Sequence, residues 1–228
     1  MAALLEAAAE PGYPAEIALV LSNRADAPGL AGAKAAGIAT AVVESRAHKG
    51  DRAGFEAAMQ AELERHGIAL IALAGFMRVL TEGFVEHWSG RMLNIHPSIL
   101  PSFPGLDTHR RALAAGVKLH GCTVHLVSPG VDEGPIVAQA AVPVLPDDDE
   151  SRLAARVLEQ EHRLYPAALA WLARGIVGSV NLGAGQGVGG SEAGSHGGQV
   201  FDAGRPEPAE GSLTNPLPHF ALLPTGKF

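Results

Sequence analysis

Short apolar runs alternate with stretches of helical periodicity along the chain as far as Gly175. The run Ile68–Ala74 is apolar at every position, which is typical of a strand buried on both faces at the centre of a parallel sheet. Between 51 and 66 the apolar residues Phe55, Met59 and Leu63 recur at helical spacing, and Gly67 ends the predicted helix. The same reasoning predicts further strands at 16–21, 38–43, 92–96, 119–127 and 136–144, and further helices at 26–37, 81–88, 107–115 and 150–174.

This alternation of strands and helices predicts an α/β fold, in which an open, mostly parallel twisted sheet is flanked by helices. The crossovers between parallel strands should be right-handed. Pro166 lies inside the last predicted helix and should kink or restart it, because proline has no backbone N–H to donate.

The alternating pattern ends beyond Gly175. A glycine-rich run at 183–190 has neither periodicity nor enough apolar surface to offset the entropy of ordering it. No predicted strand precedes this run and no helix follows it, so it lacks the setting of a phosphate-binding loop. We therefore predict one folded domain at 1–181 and a flexible tail, rich in Gly and Pro, at 182–228.

Composition and charge narrow the class of partner. The 228 residues are 47% hydrophobic and carry a net charge of −7, without a block of Lys or Arg. This balance suits a globular protein with small soluble substrates and argues against nucleic acid or a membrane surface as partner. Cys122 is the only cysteine, which excludes an internal disulfide and fits a reducing compartment. Because the first ten residues lack a basic signal region and the longest apolar run is too short to cross a bilayer, we expect a cytoplasmic protein.

Polar side chains gather at the end of the strand predicted at 92–96. Asn94 and His96 are two residues apart, so both leave the same face of the strand, and Pro97 ends it. Open α/β sheets bind ligands at the carboxyl ends of their strands. Asp132 could supply a carboxylate that orients and charges the imidazole of His96. From these residues alone, a strand-end histidine and an aspartate in an ordinary turn remain the simpler alternative.

Four blocks in a fixed order resemble the glycinamide ribonucleotide formyltransferase family: Leu73–Leu80, Asn94–Leu106, His120–Pro135 and Gln160–Pro166. The resemblance extends from about residue 4 to residue 180. It implies a Rossmann-like formyltransferase fold and an enzyme of purine biosynthesis. Such an enzyme transfers the formyl group of its co-substrate, 10-formyltetrahydrofolate, to the amine of glycinamide ribonucleotide, and it needs no metal.

The resemblance implies that Asn94, His96 and Asp132 are the catalytic residues. During transfer, charge develops on the formyl oxygen, and a proton passes from the attacking amine to N10 of the folate. The amide of Asn94 can donate to that oxygen, as in an oxyanion hole. His96 can donate a hydrogen bond or a proton to the same centre, while Asp132 favours its charged form and seats a water for the proton transfer.

The resemblance also assigns residues to the binding of both substrates. Those expected at the folate are Arg52, Phe76, Met77, Arg78, Val79, Leu80, Met92, Val127 and Val131. Those expected at the ribonucleotide are Gly75, Pro97 and Glu161, the last bonding the ribose hydroxyls. Ser102 and Thr123 are given only supporting hydrogen bonds. Without the resemblance, Met92 and Val127 would be interpreted as core, and Arg52 and Glu161 as solvated helix charges.

The chain departs from the family at its start and at Asp107. The family opens with a strand and a Gly-Ser-Asn loop, whose backbone N–H groups bind the ribonucleotide phosphate. Met1–Leu5 matches the helix after this loop, so we expect the first strand and the phosphate loop to be missing and the catalytic domain to be incomplete. A missing central strand would leave its neighbours with unpaired backbone groups. Some relatives have histidine in place of Asp107, which is given no role.

Several other functions fit the sequence. A metal-dependent hydrolase is one, with the potential ligands His96, Asp107, His109, His120, His125 and Asp132. Against it, His120 and His125 are an odd number of residues apart on one strand and should face opposite sides. A 10-formyltetrahydrofolate deformylase or another folate-dependent formyltransferase would use a similar trio. An inactive remnant that binds folate is the alternative of a different class. Both a monomer and a homodimer are compatible with the sequence.

Overall fold

The structure is a computed structural model that describes residues 1–175 and 219–224. Its strands are β1 (Glu16–Ser22), β2 (Ala39–Val42), β3 (Leu70–Ala74), β4 (Met92–His96), β5 (Leu119–Leu126), β6 (Ile136–Pro143) and β7 (His219–Pro224). Its helices are α1 (Ala2–Ala8), α2 (Pro28–Ala35), α3 (Arg52–Arg65), α4 (Glu82–His87), α5 (Thr108–Ala114) and α6 (Glu150–Ala173), with a 3-10 turn at Ser45–His48. The strands and helices predicted from the periodic pattern are present, with boundaries that differ by at most two residues.

The described strands form a single sheet in the order β2-β1-β7-β3-β4-β5-β6. The first five strands in this order, β2-β1-β7-β3-β4, are parallel to one another, whereas β5 is antiparallel to both β4 and β6. Helices cover the sheet, and the core therefore forms two layers of apolar side chains, one against each face. This arrangement confirms the predicted α/β fold with an open, mostly parallel sheet.

The antiparallel direction of β5 corrects one expectation. Helix α5 lies between β4 and β5, which by the general rule predicts a parallel pair. However, α5 has seven residues and rises only about 10 Å, so it does not carry the chain back to the end of the sheet where β4 begins. Strand β5 therefore begins at the end of the sheet where β4 finishes, and it runs back beside β4. In the register of the two strands, His96 lies opposite Thr123.

The strand β7 occupies the centre of the sheet. It is parallel to β1 on one side, where Val20 is the partner of Leu222, and to β3 on the other, where Ala72 is the partner of the same residue. Phe220 and Leu222 enter the apolar cluster on one face of the sheet, and Ala221 and Leu223 enter the cluster on the other. All four side chains are 0–2% exposed, so β7 has the two-sided burial of a central parallel strand.

This position corrects two expectations drawn from the sequence. The tail predicted at 182–228 is wrong for residues 219–224, which are a buried part of the domain. The expected gap beside β1 and β3 is also wrong, because β7 pairs with both strands. The remainder of the predicted tail lies outside the described residues, and its boundary with the domain stays a prediction.

Helix α6 is joined by hydrogen bonds to the neighbouring strands β3 and β4. The hydroxyl of Tyr165 donates to the carbonyl oxygens of Leu73 on β3 and Leu93 on β4, at 2.8 Å and 3.0 Å. Helix α6 continues from Glu150 to Ala173, so Pro166 does not restart it, and the alternative expectation of a kink stays a prediction. The carbonyl oxygen of Pro166 accepts a hydrogen bond from the hydroxyl of Tyr13 at 2.8 Å. Within residues 1–175 and 219–224, no helix combines the length and apolar character required to cross a membrane.

Candidate active site

Asn94 and His96 lie at the carboxyl end of β4, as the sequence predicts. Both side chains leave the same face, and β5 places His125 directly opposite Asn94. His96 is only 5% exposed, and Asn94 is half-buried. Asp132, from the loop between β5 and β6, reaches the same point. The three residues predicted to be catalytic are therefore brought together, at an edge where sheets of this kind bind ligands.

The ring of His96 is held by two acceptors. Its Nε2 lies 3.0 Å from the carbonyl oxygen of Phe103, and its Nδ1 lies 3.3 Å from Oδ2 of Asp132. A carbonyl oxygen only accepts hydrogen bonds, and an ionised carboxylate does the same. The ring therefore satisfies both partners only when both nitrogens carry hydrogens, which is the positively charged form of the side chain.

Asp132 is held in place by its backbone and by a second loop. Its φ of +58° lies in the left-handed region, which costs a residue other than glycine about 1–3 kcal/mol and is frequent at functional sites. Its Oδ2 accepts a hydrogen bond from the backbone N–H of Gly105 at 2.8 Å. Phe103, whose carbonyl holds His96, also has a positive φ. The two loops that position the imidazole and the carboxylate thus share backbone strain.

His125, expected from the sequence only as a potential metal ligand of a hydrolase, lies at this site beside Asn94. Its Nδ1 lies 3.0 Å from the carbonyl oxygen of Leu126 and must donate to it, so in the neutral ring Nε2 is an acceptor. Asn94 Nδ2 lies 3.2 Å from that Nε2. Burial lowers the pKa of His125, which favours this neutral form. His125 therefore fixes the orientation of the Asn94 amide, whose second N–H can donate to a ligand.

A network of hydrogen bonds supports the loop after β4. Thr123 Oγ1 donates to the carbonyl oxygen of Ser98 at 2.7 Å and accepts from the backbone N–H of Leu100 at 3.0 Å. Ser98 is fully buried, and its hydroxyl donates to the carbonyl oxygen of Ser102 at 2.6 Å. Thr123 and Ser102 thus have the supporting contacts expected of them, Ser102 through its backbone.

The residues predicted to bind folate fall into two environments. Phe76, Met77, Arg78, Val79 and Leu80 form the loop between β3 and α4, and Met77 and Val79 are 53% and 56% exposed. Val131, beside Asp132, is 56% exposed. Arg52 is an exposed residue at the start of α3, and Val127 is half-buried. Met92, in contrast, is only 1% exposed and lies in the core. Their contacts with a ligand stay predictions.

Of the three residues predicted at the ribonucleotide, two directly follow strands and the third lies on α6. Gly75 follows β3 with a φ of +74°, a conformation in which glycine is free of strain. Pro97 follows directly after β4. Glu161 lies on α6, where burial raises the pKa of its carboxyl group and the Met1 ammonium group opposes that shift. These assignments also stay predictions. Asp107 pairs with Arg110 at the surface, with a side chain that is 55% exposed.

His109 and His120 form a pair of neighbouring histidines close to His96. His109 Nδ1 is 3.1 Å from His120 Nε2, so one nitrogen donates and the other accepts. Burial, together with neighbouring His109 and His96, lowers the pKa of His120 from 6.5 to about 4. Within the part of the chain that the structure describes, no three His, Cys, Asp or Glu side chains are arranged to hold a metal ion.

The His120 pKa predicts a loss of stability in acid. Between pH 6.5 and about 4 the unfolded chain binds a proton that the folded chain does not, so the free energy of unfolding should fall as the pH drops through this window. After allowance for solvent screening, we expect a loss of about 2 kcal/mol. Urea unfolding of the wild type and His120→Gln at several pH values measures it. The difference between the two should change below pH 6.5 and be constant above pH 7; a constant difference throughout would contradict the prediction.

The fold and the site together define an open α/β domain with an imidazole–carboxylate pair and an oriented amide at the carboxyl ends of its strands. Residues 1–169 match the family described as formyl transferase. The chain is 43% identical to phosphoribosylglycinamide formyltransferase of Escherichia coli over 173 residues, which are 76% of this chain and 81% of the relative. It is 48% identical to the trifunctional purine biosynthetic protein adenosine-3 of Gallus gallus over 77% of this chain, but spans only 17% of that relative.

A solved structure agrees with these matches. The phosphoribosylglycinamide formyltransferase of Brucella melitensis is 56% identical and has a TM-score of 0.70, with 74% of this chain and 86% of that one covered. The chain therefore belongs to the formyl transferase family.

Proposed function

We propose that the chain transfers the formyl group of 10-formyltetrahydrofolate to the amine of glycinamide ribonucleotide, a step of purine biosynthesis. The observation that carries this proposal is the cluster of Asn94, His96 and Asp132, in which His125 orients the amide of Asn94 and the imidazole of His96 faces the carboxylate of Asp132. The names and sequence identities of the relatives support the same reaction and the same substrates.

The cluster supplies the groups that the reaction requires. The second N–H of Asn94, in the orientation set by His125, donates to the formyl oxygen as negative charge develops on it. The Nδ1···Oδ2 distance of 3.3 Å between His96 and Asp132 exceeds the length usual for a charge-assisted hydrogen bond. The Nδ1–H is therefore only loosely held by Asp132, and it can donate a hydrogen bond to a formyl oxygen that lies beside the ring as negative charge develops there. As the amine nitrogen bonds to the formyl carbon, Asp132 accepts the amine proton, directly or through a water. This proton moves to N10 of the folate when the bond between the formyl carbon and N10 breaks.

The surroundings of the cluster fit a folate. A cleft of about 350 Å³ beside Asp132 is lined mainly by apolar groups, and its size falls in the range of small-molecule sites. Exposed Met77, Val79 and Val131 provide further apolar contact area for a pterin and its benzoyl group. Arg52 and Arg78 supply cations for the glutamate carboxylates. Burial raises the pKa of Cys122 to about 12, so its thiol stays protonated and does not compete as a nucleophile.

We also propose that the protein is cytoplasmic and acts on small molecules as a monomer or homodimer. The net charge of −7 and the single cysteine support this view. It needs neither nucleic acid nor a membrane surface as partner.

A steady-state assay of the full chain tests the function. With both substrates present we expect formylated ribonucleotide and tetrahydrofolate in equal amounts. Release of formate without the ribonucleotide would instead favour a deformylase, and folate binding without either product would favour an inactive folate-binding protein. Activity that depends on a stoichiometric transition metal would support the hydrolase alternative.

The pH dependence of this assay tests the role of Asp132. Replacement by asparagine removes the negative charge that faces His96 Nδ1 but keeps the size of the side chain. We expect Asp132→Asn to lower turnover and to flatten the acid limb of the pH–rate profile, because asparagine has no carboxylate to accept the amine proton and none that acid can protonate. A variant profile that superimposes on that of the wild type would remove Asp132 from the mechanism.

A further inference from the structure

A buried carboxylate that the proposed mechanism does not use lies on α3. Glu56 is only 4% exposed and sits among the apolar side chains with which α3 packs on the sheet. A carboxylate in such a place is costly unless hydrogen bonds satisfy its oxygens. Both oxygens of Glu56 accept from one residue, Thr81: Oε1 from the backbone N–H at 2.7 Å, and Oε2 from the hydroxyl. Glu56 therefore fixes Thr81 through two hydrogen bonds.

Thr81 stands at the end of the loop predicted to contact folate. It follows Leu80 directly and caps α4, since its Oγ1 accepts from the backbone N–H of Phe84 at 3.4 Å. The other end of the loop leaves β3 at Gly75, immediately after Ala74 has paired with β7. The hydrogen bonds from Thr81 to Glu56 thus fix the C-terminal end of the loop, while the pairing of β3 with β7 fixes its N-terminal end.

Helix α3 also contacts the middle of the loop. The guanidinium of Arg78 lies over the ring of Phe55, 5.2 Å from its centroid, and Phe55 is the neighbour of Glu56. One turn of α3 therefore holds the loop at two points. Met77 and Val79, on either side of Arg78, expose more than half of their side chains, so the loop depends on its anchors for its shape.

We propose that Glu56 is a positioning residue, which holds the loop of residues 75–81 in the shape that binds the folate co-substrate. The inference rests on the proposed function for the identity of the ligand. Glu56 does not touch the substrates. It acts through Thr81, and its loss should weaken folate binding and leave the catalytic cluster at the end of β4 unchanged.

The test compares Glu56→Leu with Glu56→Gln in the full chain. Leucine removes both acceptors at similar volume and leaves the Thr81 N–H without a partner. Glutamine can still accept from that N–H through its oxygen and donate to the Thr81 hydroxyl through its amide. For Glu56→Leu we expect the KM for 10-formyltetrahydrofolate to rise at least tenfold, with kcat and the KM for the ribonucleotide within about twofold of wild type. Glu56→Gln should restore the folate KM to within about threefold.

Leu63→Ala is the matched control, because Leu63 is a fully buried residue two turns further along α3, away from Thr81. It should lower the melting temperature but leave the folate KM unchanged. An unchanged KM in Glu56→Leu, or an equal rise in Leu63→Ala, would overturn the inference and show a purely structural role. The dissociation constant for folate, measured by calorimetry, should follow the same order. If the wild type binds folate but transfers no formyl group, the proposed reaction fails, and these constants still decide the role of Glu56.

Discussion

Replacement of His96 or Asn94 by alanine is expected to lower the turnover number at least a hundredfold. Each change removes a donor at the point where charge develops on the formyl oxygen, and loss of one such donor usually raises the barrier by about 3 kcal/mol. Folate binding should change little, because the apolar contact surface of Met77, Val79 and Val131 is untouched. Steady-state kinetics and calorimetric titration of each variant measure the two effects separately.

His66→Ala provides the control for this prediction. His66 caps the far end of α3, where its Nδ1 faces the carbonyl oxygen of Glu62, so its loss should leave turnover unchanged. Because His96→Ala leaves Asp132 without its ring partner, circular dichroism and a thermal melt should accompany the assay. Wild-type turnover in either the His96 or the Asn94 variant would exclude that residue from catalysis.

The second large effect is expected in β7. Leu222→Ala removes a fully buried side chain between β1 and β3, and such a truncation usually costs about 2–5 kcal/mol. Leu222→Asp should prevent folding, because it places a charge between two parallel strands without a partner. Urea unfolding of Leu222→Ala against the wild type gives the measurement.

The matched control for β7 is Leu119→Ala. Leu119 is also a strand leucine but is 62% exposed, so its truncation should change the free energy of unfolding by less than about 0.5 kcal/mol. If Leu222→Ala were as stable as Leu119→Ala, residues 219–224 would not be the central strand in solution. In that case the tail predicted from the sequence would again be the better description.

The strand β7 was missed for a physical reason. Its apolar core is the four-residue run Phe220–Leu223, which follows a long segment rich in Gly and Pro. A short run of this kind carries no periodicity of its own, and its stability comes from two strands that are distant in sequence. The other strands were predictable because a predicted helix lies on one or both sides of each of them in the sequence.

The candidate site shows the same division between local and distant information. The spacing of Asn94 and His96 gives their common face directly, and family resemblance supplied Asp132. His125 faces Asn94 only because β5 runs antiparallel, which the alternation of strands and helices does not reveal. Glu56 belongs to a helix pattern in which a charged residue is expected at the surface. Its burial depends on Thr81, which is 25 residues away.

The position of β7 in the sheet also sets the order in which the protein can be completed during synthesis. Strands β1 and β3 leave the ribosome early, but the strand that joins them is made about 145 residues after β3. At usual rates of translation, this interval is on the order of ten seconds. Throughout this interval, β1 and β3 lack the strand that pairs with both of them, and their edges are open to solvent. Until β7 pairs with both strands, the nascent chain therefore exposes unpaired strand edges, which favour association with other chains.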